Sequence, residues 1–175
     1  MMTRKVLLTG RPGCGKTTLI KRVVNEVARR AGGFYTEEIR EHGARVGFKI
    51  VTTDGKEAVF ANVNFPATAK PQHLGKYGLD LSALENIAVD AVRGAIRGRQ
   101  LIVIDEIGPM EIRSAIFRDV VIEALDSGAP ILATISARSF PFTDAIKKRS
   151  DVAMIEVRRS NRDQLVSGLS DQFQA

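Results

Sequence analysis

Hydrophobic residues recur along this chain with two different periods, and each period predicts one kind of secondary structure. Short, mainly apolar runs predict buried strands over residues 6–8, 101–104, 131–135 and 152–157. Apolar residues spaced by three or four predict helices over residues 16–30, 82–98, 114–127 and 141–149, with another helix at the carboxyl terminus. Strands that alternate with helices are typical of βαβ units. The sequence therefore predicts an α/β fold with a mainly parallel sheet and helices on both faces.

The segment over residues 34–61 has a different pattern. Alternating polar and apolar residues predict strands over 34–39, 45–51 and 58–60, separated by turns at His42-Gly43 and Asp54-Gly55. Turns this short join only antiparallel strands, so we expect an antiparallel excursion from the main sheet. The stretch that follows, 62–80, is rich in Pro, Gly, Asn and Lys and is interpreted as a loop.

Polar residues at the predicted helix ends indicate where the helices begin. Ser82 and Glu85 have the spacing of a capping box, and Ser160 with Asp163 gives a second capping pattern before the last helix. The helix that begins at Ser114 is expected to end before Gly128.

A glycine-rich segment between the first strand and the first helix fits the pattern G-x-x-x-x-G-K-[ST] without a mismatch. It is made of Gly10, Arg11, Pro12, Gly13, Cys14, Gly15, Lys16 and Thr17, with Thr18 next in the helix. Glycines let consecutive backbone N–H groups turn towards phosphate oxygens, and the helix amino terminus adds partial positive charge. In such a loop Lys16 would reach the β- and γ-phosphates, and the Thr17 hydroxyl would face Mg²⁺.

A second motif ends the predicted strand over residues 101–104. It consists of Leu101, Ile102, Val103, Ile104, Asp105 and Glu106, followed by Ile107 and Gly108. Ligands of open α/β sheets bind at the carboxyl ends of the strands, which is where Asp105 would lie. We expect Asp105 to hold Mg²⁺ with Thr17, and Glu106 to polarise an attacking water. A guanine-reading Asn-Lys-x-Asp is absent from the sequence, which disfavours a dedicated GTPase switch.

Length and composition favour one soluble domain over residues 1–175. The chain is 44% hydrophobic and 26% charged, and its longest uncharged run is too short and too polar to cross a bilayer. No secretory leader is visible, and the single cysteine, Cys14, leaves no intramolecular disulfide. These features predict a cytoplasmic protein without a membrane partner, and a monomer is favoured.

The net charge of +6 raises the possibility of nucleic-acid binding. Residues 1–33 contain eight basic residues and one acid, so this surplus lies in the first third of the chain. No aromatic residues lie between those charges to act as stacking platforms, so nucleic-acid binding is possible but not favoured.

Five segments together resemble a known family: GRPGCGKTT at 10–18, GFYTEEIR at 33–40, GKYGLDL at 75–81, VIDEIGPME at 103–111 and SNRD at 160–163. The chain is similar to the P-loop nucleoside-triphosphatases described from thermophiles, whose animal members are called cancer-related nucleoside-triphosphatases. The resemblance implies a RecA-like P-loop domain and Mg²⁺-dependent hydrolysis of several nucleoside triphosphates to diphosphate and phosphate. Members often have His-Pro where this chain has Phe140-Pro141, so any role of that imidazole is absent here.

On this interpretation Lys16 and Glu106 are the catalytic residues. Two other functions remain open: a nucleoside or nucleotide kinase, with the excursion and residues 62–80 as an acceptor lid, and an NTP-dependent RNA-binding module.

Several further residues have two interpretations each. Thr36, Glu37, Glu38 and Arg40 form either a switch-like segment near the γ-phosphate or the polar face of a strand. Glu111 either orients the site or interacts electrostatically with the amino terminus of a helix. Asn161 and Arg162 either border the base of the nucleotide or cap the last helix.

Overall fold

A mixed sheet lies at the centre of the protein. The computed structural model describes residues 5–28, 30–66 and 72–174, and within them the sheet has nine strands in the order β5-β6-β4-β3-β2-β7-β8-β1-β9. The strands are β1 (Lys5–Thr9), β2 (Ala31–Glu41), β3 (Ala44–Thr52), β4 (Glu57–Asn62), β5 (Gln72–Leu74), β6 (Tyr77–Leu79), β7 (Leu101–Ile107), β8 (Ile131–Ile135) and β9 (Ala153–Glu156). Neighbouring strands from β2 to β9 in this order are parallel, and those from β5 to β2 are antiparallel.

The helices cover both faces of the sheet, as predicted. They are α1 (Lys16–Glu26), α2 (Leu81–Ala83), α3 (Asp90–Arg97), α4 (Ala115–Asp126), α5 (Pro141–Lys147) and α6 (Arg162–Phe173). A π-helical turn over Leu84–Val89 joins α2 to α3, and a short 3₁₀ helix over Glu111–Arg113 precedes α4. Among the described residues, none of the helices has both the length and the hydropathy that a membrane span needs.

Strand β7 shows how the sequence pattern produces the two faces. Side chains of successive strand residues point to opposite faces. Leu101 and Val103 pack in the apolar cluster beneath α1 and α6, whereas Ile102 and Ile104 pack in the cluster beneath α4 and the π-helical turn. Because both faces of β7 are buried, its sequence is continuously apolar up to Asp105. The predicted α/β fold class is confirmed.

The antiparallel excursion is also present, and it is longer than predicted. Strands β2, β3 and β4 extend beyond the predicted bounds, with irregular register near Ile39 and Phe48. The prediction of a loop over 62–80 is wrong in part, since Gln72–Leu74 and Tyr77–Leu79 form a hairpin that pairs with β4. Neither strand of this hairpin is long enough to show an alternating pattern. Residues 67–71 of the predicted loop lie outside the described residues.

The first helix is shorter than predicted. It ends at Glu26, and Val27 already has extended dihedral angles although its apolar side chain continues the helical pattern. The chain has to leave the helix there because β2 begins at Ala31, which pairs with Leu101. Residue 29, within the predicted helix, lies outside the described residues.

Both predicted capping patterns are wrong in detail. Asp80, not Ser82, caps α2 by accepting a hydrogen bond from the Ala83 N–H at 3.0 Å. Glu85 instead accepts a hydrogen bond from the Ser114 hydroxyl at 2.6 Å. The backbone thus uses Asp80 as its cap, and Glu85 is bonded to a residue 29 positions away, so the local spacing of Ser82 and Glu85 did not identify either contact.

The start of α6 differs in the same way. Asn161 occupies the capping position, but its side chain makes no capping bond to the helix. Its amide instead ties the preceding turn together, accepting from the Arg158 N–H at 2.8 Å and donating to the Glu156 carbonyl at 3.0 Å.

Ser114 is predicted to contribute much more to stability than Ser82. The buried Ser114 hydroxyl accepts from the Phe117 N–H at 3.0 Å and donates to Glu85. Ser114→Ala should lower the free energy of unfolding by about 1–2 kcal/mol, because both partners lose a hydrogen bond. Ser82→Ala, the matched control, should change it by less than about 0.5 kcal/mol. Urea unfolding measures both, and equal losses would contradict the assignment of the cap.

Candidate functional site

The carboxyl ends of three neighbouring strands form one edge of the parallel sheet. Strand β8 lies between β1 and β7, so the loops that follow all three are adjacent. The glycine-rich loop follows β1, and Asp105 and Glu106 lie at the end of β7. The topology therefore brings together the two motifs that are about ninety residues apart in sequence, at the edge where ligands of such sheets bind.

The glycine-rich loop leads directly into α1. Gly10, Gly13 and Gly15 all have positive φ, and Gly15 immediately precedes the first helical residue, Lys16. The Lys16 ammonium group donates to the carbonyl oxygens of Gly10 at 3.1 Å and Arg11 at 3.2 Å. The lysine thus closes the loop on itself and lies where an anion held by the loop would meet its charge.

Gly15 shows why the loop needs glycine at this position. Its φ of 97° is strained for any residue with a side chain. A Cβ atom there would also lie 2.7 Å from Nη1 and 2.8 Å from Cδ of Arg162. Arg162, at the start of α6, therefore packs directly against the loop.

Asp105 is the buried acid of the site. Its side chain accepts hydrogen bonds from Thr17 Oγ1, in α1, and from Thr134 Oγ1, in β8, both at 2.5 Å. Only 2% of the residue is exposed, and burial raises the pKa of Asp105. The two hydroxyls, together with the charge of Lys16, oppose that rise because they stabilise the ionised carboxylate.

Glu106 and Glu111 place two more carboxyl groups beside Asp105. Burial, followed by the charge of Asp105, raises the pKa of Glu106, while Lys16 lowers it. Burial raises the pKa of Glu111 well above its ordinary range, and the charge of Glu106 adds to this. A side chain on Gly108 would collide with Glu106, because an added Cβ would lie 2.2 Å from Oε1. Gly108 therefore leaves the space that the Glu106 side chain occupies.

Strand β2 contributes polar residues next to Asp105. Thr36 Oγ1 donates to the main-chain oxygen of Asp105 at 3.0 Å. Burial and the charge of Asp105 raise the pKa of Tyr35 to about 12. Lys21 Nζ lies 5.2 Å from the centre of the Tyr35 ring and 2.5 Å from Glu37 Oε1, and this hydrogen bond lowers the pKa of Glu37.

Other residues singled out in the sequence make contacts within the antiparallel strands, within the core or within the loop. Glu38 is ion-paired with Arg40 at 2.6 Å and with Arg45 at 3.0 Å on the antiparallel strands. The side chains of Leu101, Ile102, Val103, Ile104 and Ile107 are buried in the two apolar clusters and hold β7 in place. Arg11, Pro12, Gly13 and Thr18 are exposed around the loop, and Cys14 is buried within it.

A cavity of about 580 Å³ lies beside the loop. Its walls are Arg11, Pro12, Gly13 and Cys14 on one side, and Glu156, Val157, Arg158 and Arg159 on the other. This volume is in the range of sites for small organic ligands.

Thr134 was missed by the sequence reasoning. It is a hydroxyl residue in an otherwise apolar strand, and it is fully buried. A polar side chain at such a position needs a hydrogen-bond partner, which is the signal that could have identified it. That its partner is Asp105 follows only from the strand order.

Comparison with known proteins shows what the chain resembles as a whole. The sequence profile of the NTPase family matches residues 5–169. The chain belongs to this NTPase family. A relative in this family is nucleoside-triphosphatase THEP1 of Thermotoga petrophila, 49% identical over 93% of this chain and 88% of the relative. The human cancer-related nucleoside-triphosphatase is 37% identical over 94% of each chain.

Solved structures of the NTPase family have the same fold. The crystal structure of THEP1 from Aquifex aeolicus superposes with a TM-score of 0.88 at 34% identity, covering 98% of this chain and 99% of that one. The solution structure of the human cancer-related nucleoside triphosphatase gives a TM-score of 0.82 at 34% identity, with coverage of 98% and 97%. The family resemblance found in the sequence is confirmed.

Thr134 is predicted to be needed to hold the Asp105 carboxylate in this NTPase. Thr134→Val keeps the shape of the side chain but removes a buried donor, so it should lower the free energy of unfolding by about 1–3 kcal/mol. Thr134→Ser retains the hydroxyl and serves as the control. Urea unfolding without divalent metal checks this, and a valine variant more stable than the serine variant would contradict it.

Proposed function

We propose that this protein hydrolyses nucleoside triphosphates to nucleoside diphosphates and phosphate, with Mg²⁺ as cofactor. The observation that carries the proposal is the hydrogen bond from Thr17, at the end of the phosphate loop, to Asp105 of the second motif. This bond joins the two halves of a nucleoside-triphosphate site. The names of the relatives, nucleoside-triphosphatases, support the same activity.

Thr17 and Asp105 are the residues that we propose hold Mg²⁺. Their oxygen atoms are the donors that Mg²⁺ prefers, and Mg²⁺ is commonly held by one or two protein groups together with substrate phosphates. When bound there, Mg²⁺ would supply positive charge that offsets the negative charge of the phosphates. The residues present therefore fit the ion.

The phosphate chain would be held by the loop amides and by Lys16. Lys16 now donates to two neutral carbonyl groups, and a phosphate oxygen is a stronger acceptor for an ammonium group. The amino terminus of α1 would add to this attraction. The cavity between the loop and residues 156–159 is large enough for the nucleoside part of the substrate.

Glu106 is our candidate for the group that activates water. The water oxygen attacks the γ-phosphorus, the bond from that phosphorus to the bridging oxygen of the β-phosphate breaks, and Glu106 accepts a proton from the water. A raised pKa makes the ionised carboxylate a better base near neutral pH. Gly108 supports this role because it leaves the space that the Glu106 side chain fills.

Two observations bear on the other functions that the sequence leaves open. A kinase lid needs several arginines that gather over two phosphoryl groups, and Arg118 is engaged elsewhere because it donates to the Ile112 carbonyl at 2.6 Å. An RNA-binding face needs free cations, yet Lys5 and Arg22 in the basic first third are paired with Asp151 and Asp163. Hydrolysis is therefore the function that the site supports best.

Phosphate release from ATP, GTP, CTP and UTP tests the proposal directly. We expect release that requires Mg²⁺ and stops when EDTA is added. Lys16→Ala should remain folded but should bind triphosphates weakly and lose nearly all turnover, since charge stabilisation dominates phosphoryl transfer. Hydrolysis at the wild-type rate by folded Lys16→Ala would refute the proposal. Nucleoside acceptors and single-stranded RNA, added in parallel, test for a kinase and for RNA binding.

Replacing Glu106 separates water activation from binding. Glu106→Gln keeps size and hydrogen bonding but removes basicity, so we expect hydrolysis at least ~100-fold slower, with nearly unchanged affinity for a non-hydrolysable triphosphate. Calorimetry and a phosphate-release assay measure the two quantities. Glu123→Gln, in an exposed ion pair on α4, is the control and should hydrolyse normally.

If Glu106→Gln keeps turnover within a few-fold, the base is another residue, and Glu111 and Glu38 are the next candidates. If affinity falls together with turnover, Glu106 belongs to the metal site.

A further inference from the structure

The loop over residues 136–140 follows β8 and lies at the edge where the two motifs meet. Thr134 pairs with Leu8 in β1, and Ile135 pairs with Ile107 in β7. The residues after Ile135 therefore lie between the start of the phosphate loop and the Glu106 segment. The Ser136 N–H donates to the Ile107 carbonyl at 3.1 Å, which fixes the beginning of this loop.

The backbone of Arg138 is anchored at this position. Its N–H donates to Ser136 Oγ at 3.2 Å, and its carbonyl accepts a hydrogen bond from Lys147 Nζ at 3.1 Å. The side chain, in contrast, is exposed, and its guanidinium carbon lies 5.6 Å from the centre of the Phe140 ring. The main chain of Arg138 is thus fixed by two hydrogen bonds, whereas its guanidinium group makes only a cation–π contact with Phe140. Such a contact is weak at an exposed site.

No carboxylate neutralises Arg138 within the part of the chain that the structure describes. The acid of the neighbouring helix, Asp144, is hydrogen-bonded to Ser139 and paired with Lys147. Arg149 and Arg158, in contrast, both have acidic partners within 3 Å. Arg138 therefore offers a free guanidinium group beside the candidate site.

The carboxyl groups of the site are opposed by few cations: the charges of Lys16 and Lys21 lower the pKa of Asp105, and the charge of Lys16 lowers the pKa of Glu106. Asp105, Glu106 and Glu111 bring three carboxyl groups together, and Lys16 is the cation that most directly opposes the charge of Glu106. A triphosphate would add further negative charge. Its transition state spreads charge over the oxygens of the γ-phosphoryl group, and an arginine is the side chain best suited to meet several such oxygens.

We propose that Arg138 is a further catalytic residue, whose guanidinium group leaves Phe140 and contacts the γ-phosphoryl oxygens in the transition state. This inference rests on the proposed hydrolysis. The role is stabilisation of charge, so no proton is transferred to or from Arg138.

The experiment compares Arg138→Ala and Arg138→Lys with the control Arg97→Ala. Arg97 ends α3 at the opposite edge of the sheet and is also exposed. Arg138→Ala should lower kcat for ATP at least ~100-fold, since arginines in this role contribute ~10³-fold or more. Its Kd for ADP should stay within about threefold of wild type, because the γ-phosphate is missing. Arg138→Lys should recover only part of kcat because an ammonium group lacks the planar, bidentate donor geometry of a guanidinium group.

A second measurement detects the transition-state contact itself. Wild type and Arg97→Ala should trap ADP with aluminium fluoride, which mimics the transferred phosphoryl group, whereas Arg138→Ala should not. Circular dichroism and thermal unfolding should show the same fold in all variants. The inference is overturned if Arg138→Ala keeps kcat within threefold of wild type, changes only KM, or traps aluminium fluoride normally.

The result also separates this inference from the proposed function. If wild type hydrolyses ATP and Lys16→Ala does not, while Arg138→Ala is fully active, only the role of Arg138 is wrong. If wild type itself releases no phosphate from any triphosphate, the proposed function fails, and the role of Arg138 fails with it.

Discussion

The buried carboxylate of Asp105 is the constraint on which the site depends. Removing a carboxylate from water is costly unless hydrogen bonds replace its hydration. Here the replacements come from Thr17 in the first helix and Thr134 in the neighbouring strand. These two bonds tie three elements to one side chain. Both bonds oppose the rise in the pKa of Asp105 that burial causes, so the ionised form depends on the relative positions of α1, β8 and β7.

The order of the strands in the sheet determines these relative positions. Because β8 lies between β1 and β7, Thr134 is beside the acid, and the loop after β8 is beside both motifs. The antiparallel strands extend the sheet on the other side of β7. There Tyr35 is the strand partner of Asp105, and Lys21 of the first helix lies over the Tyr35 ring and pairs with Glu37. One sheet thus holds the candidate chemistry in its parallel half and a network of paired charges at the start of its antiparallel half.

The parts of this arrangement that depend on local chemistry could be predicted from the sequence. The phosphate loop needs glycines beside a strand and a helix, and the apolar run before Asp105 needs burial on both faces, so both are visible in a few residues. Thr134 was missed because its role depends on a contact made in the folded chain, and the space that Gly108 leaves for Glu106 likewise becomes visible only in the structure. The caps at Ser82 and Ser160 were wrong because a suitable spacing does not decide which of several hydroxyl and carboxylate groups the backbone will use.

The contacts of Lys16 explain why its charge is not neutralised by the carboxyl groups of the site. Lys16 is held by the carbonyls of Gly10 and Arg11, and not by an ion pair with Asp105 or Glu106. A direct ion pair would have to be broken before phosphate could bind. Bonds to neutral carbonyls are weaker, so they are readily exchanged for charge-assisted bonds to phosphate. The hydroxyl groups of Thr17 and Thr134 donate hydrogen bonds to Asp105, and carbonyl groups accept hydrogen bonds from Lys16. Because neither group is neutralised by the other, the carboxylate remains available to a metal ion and the ammonium group to a triphosphate.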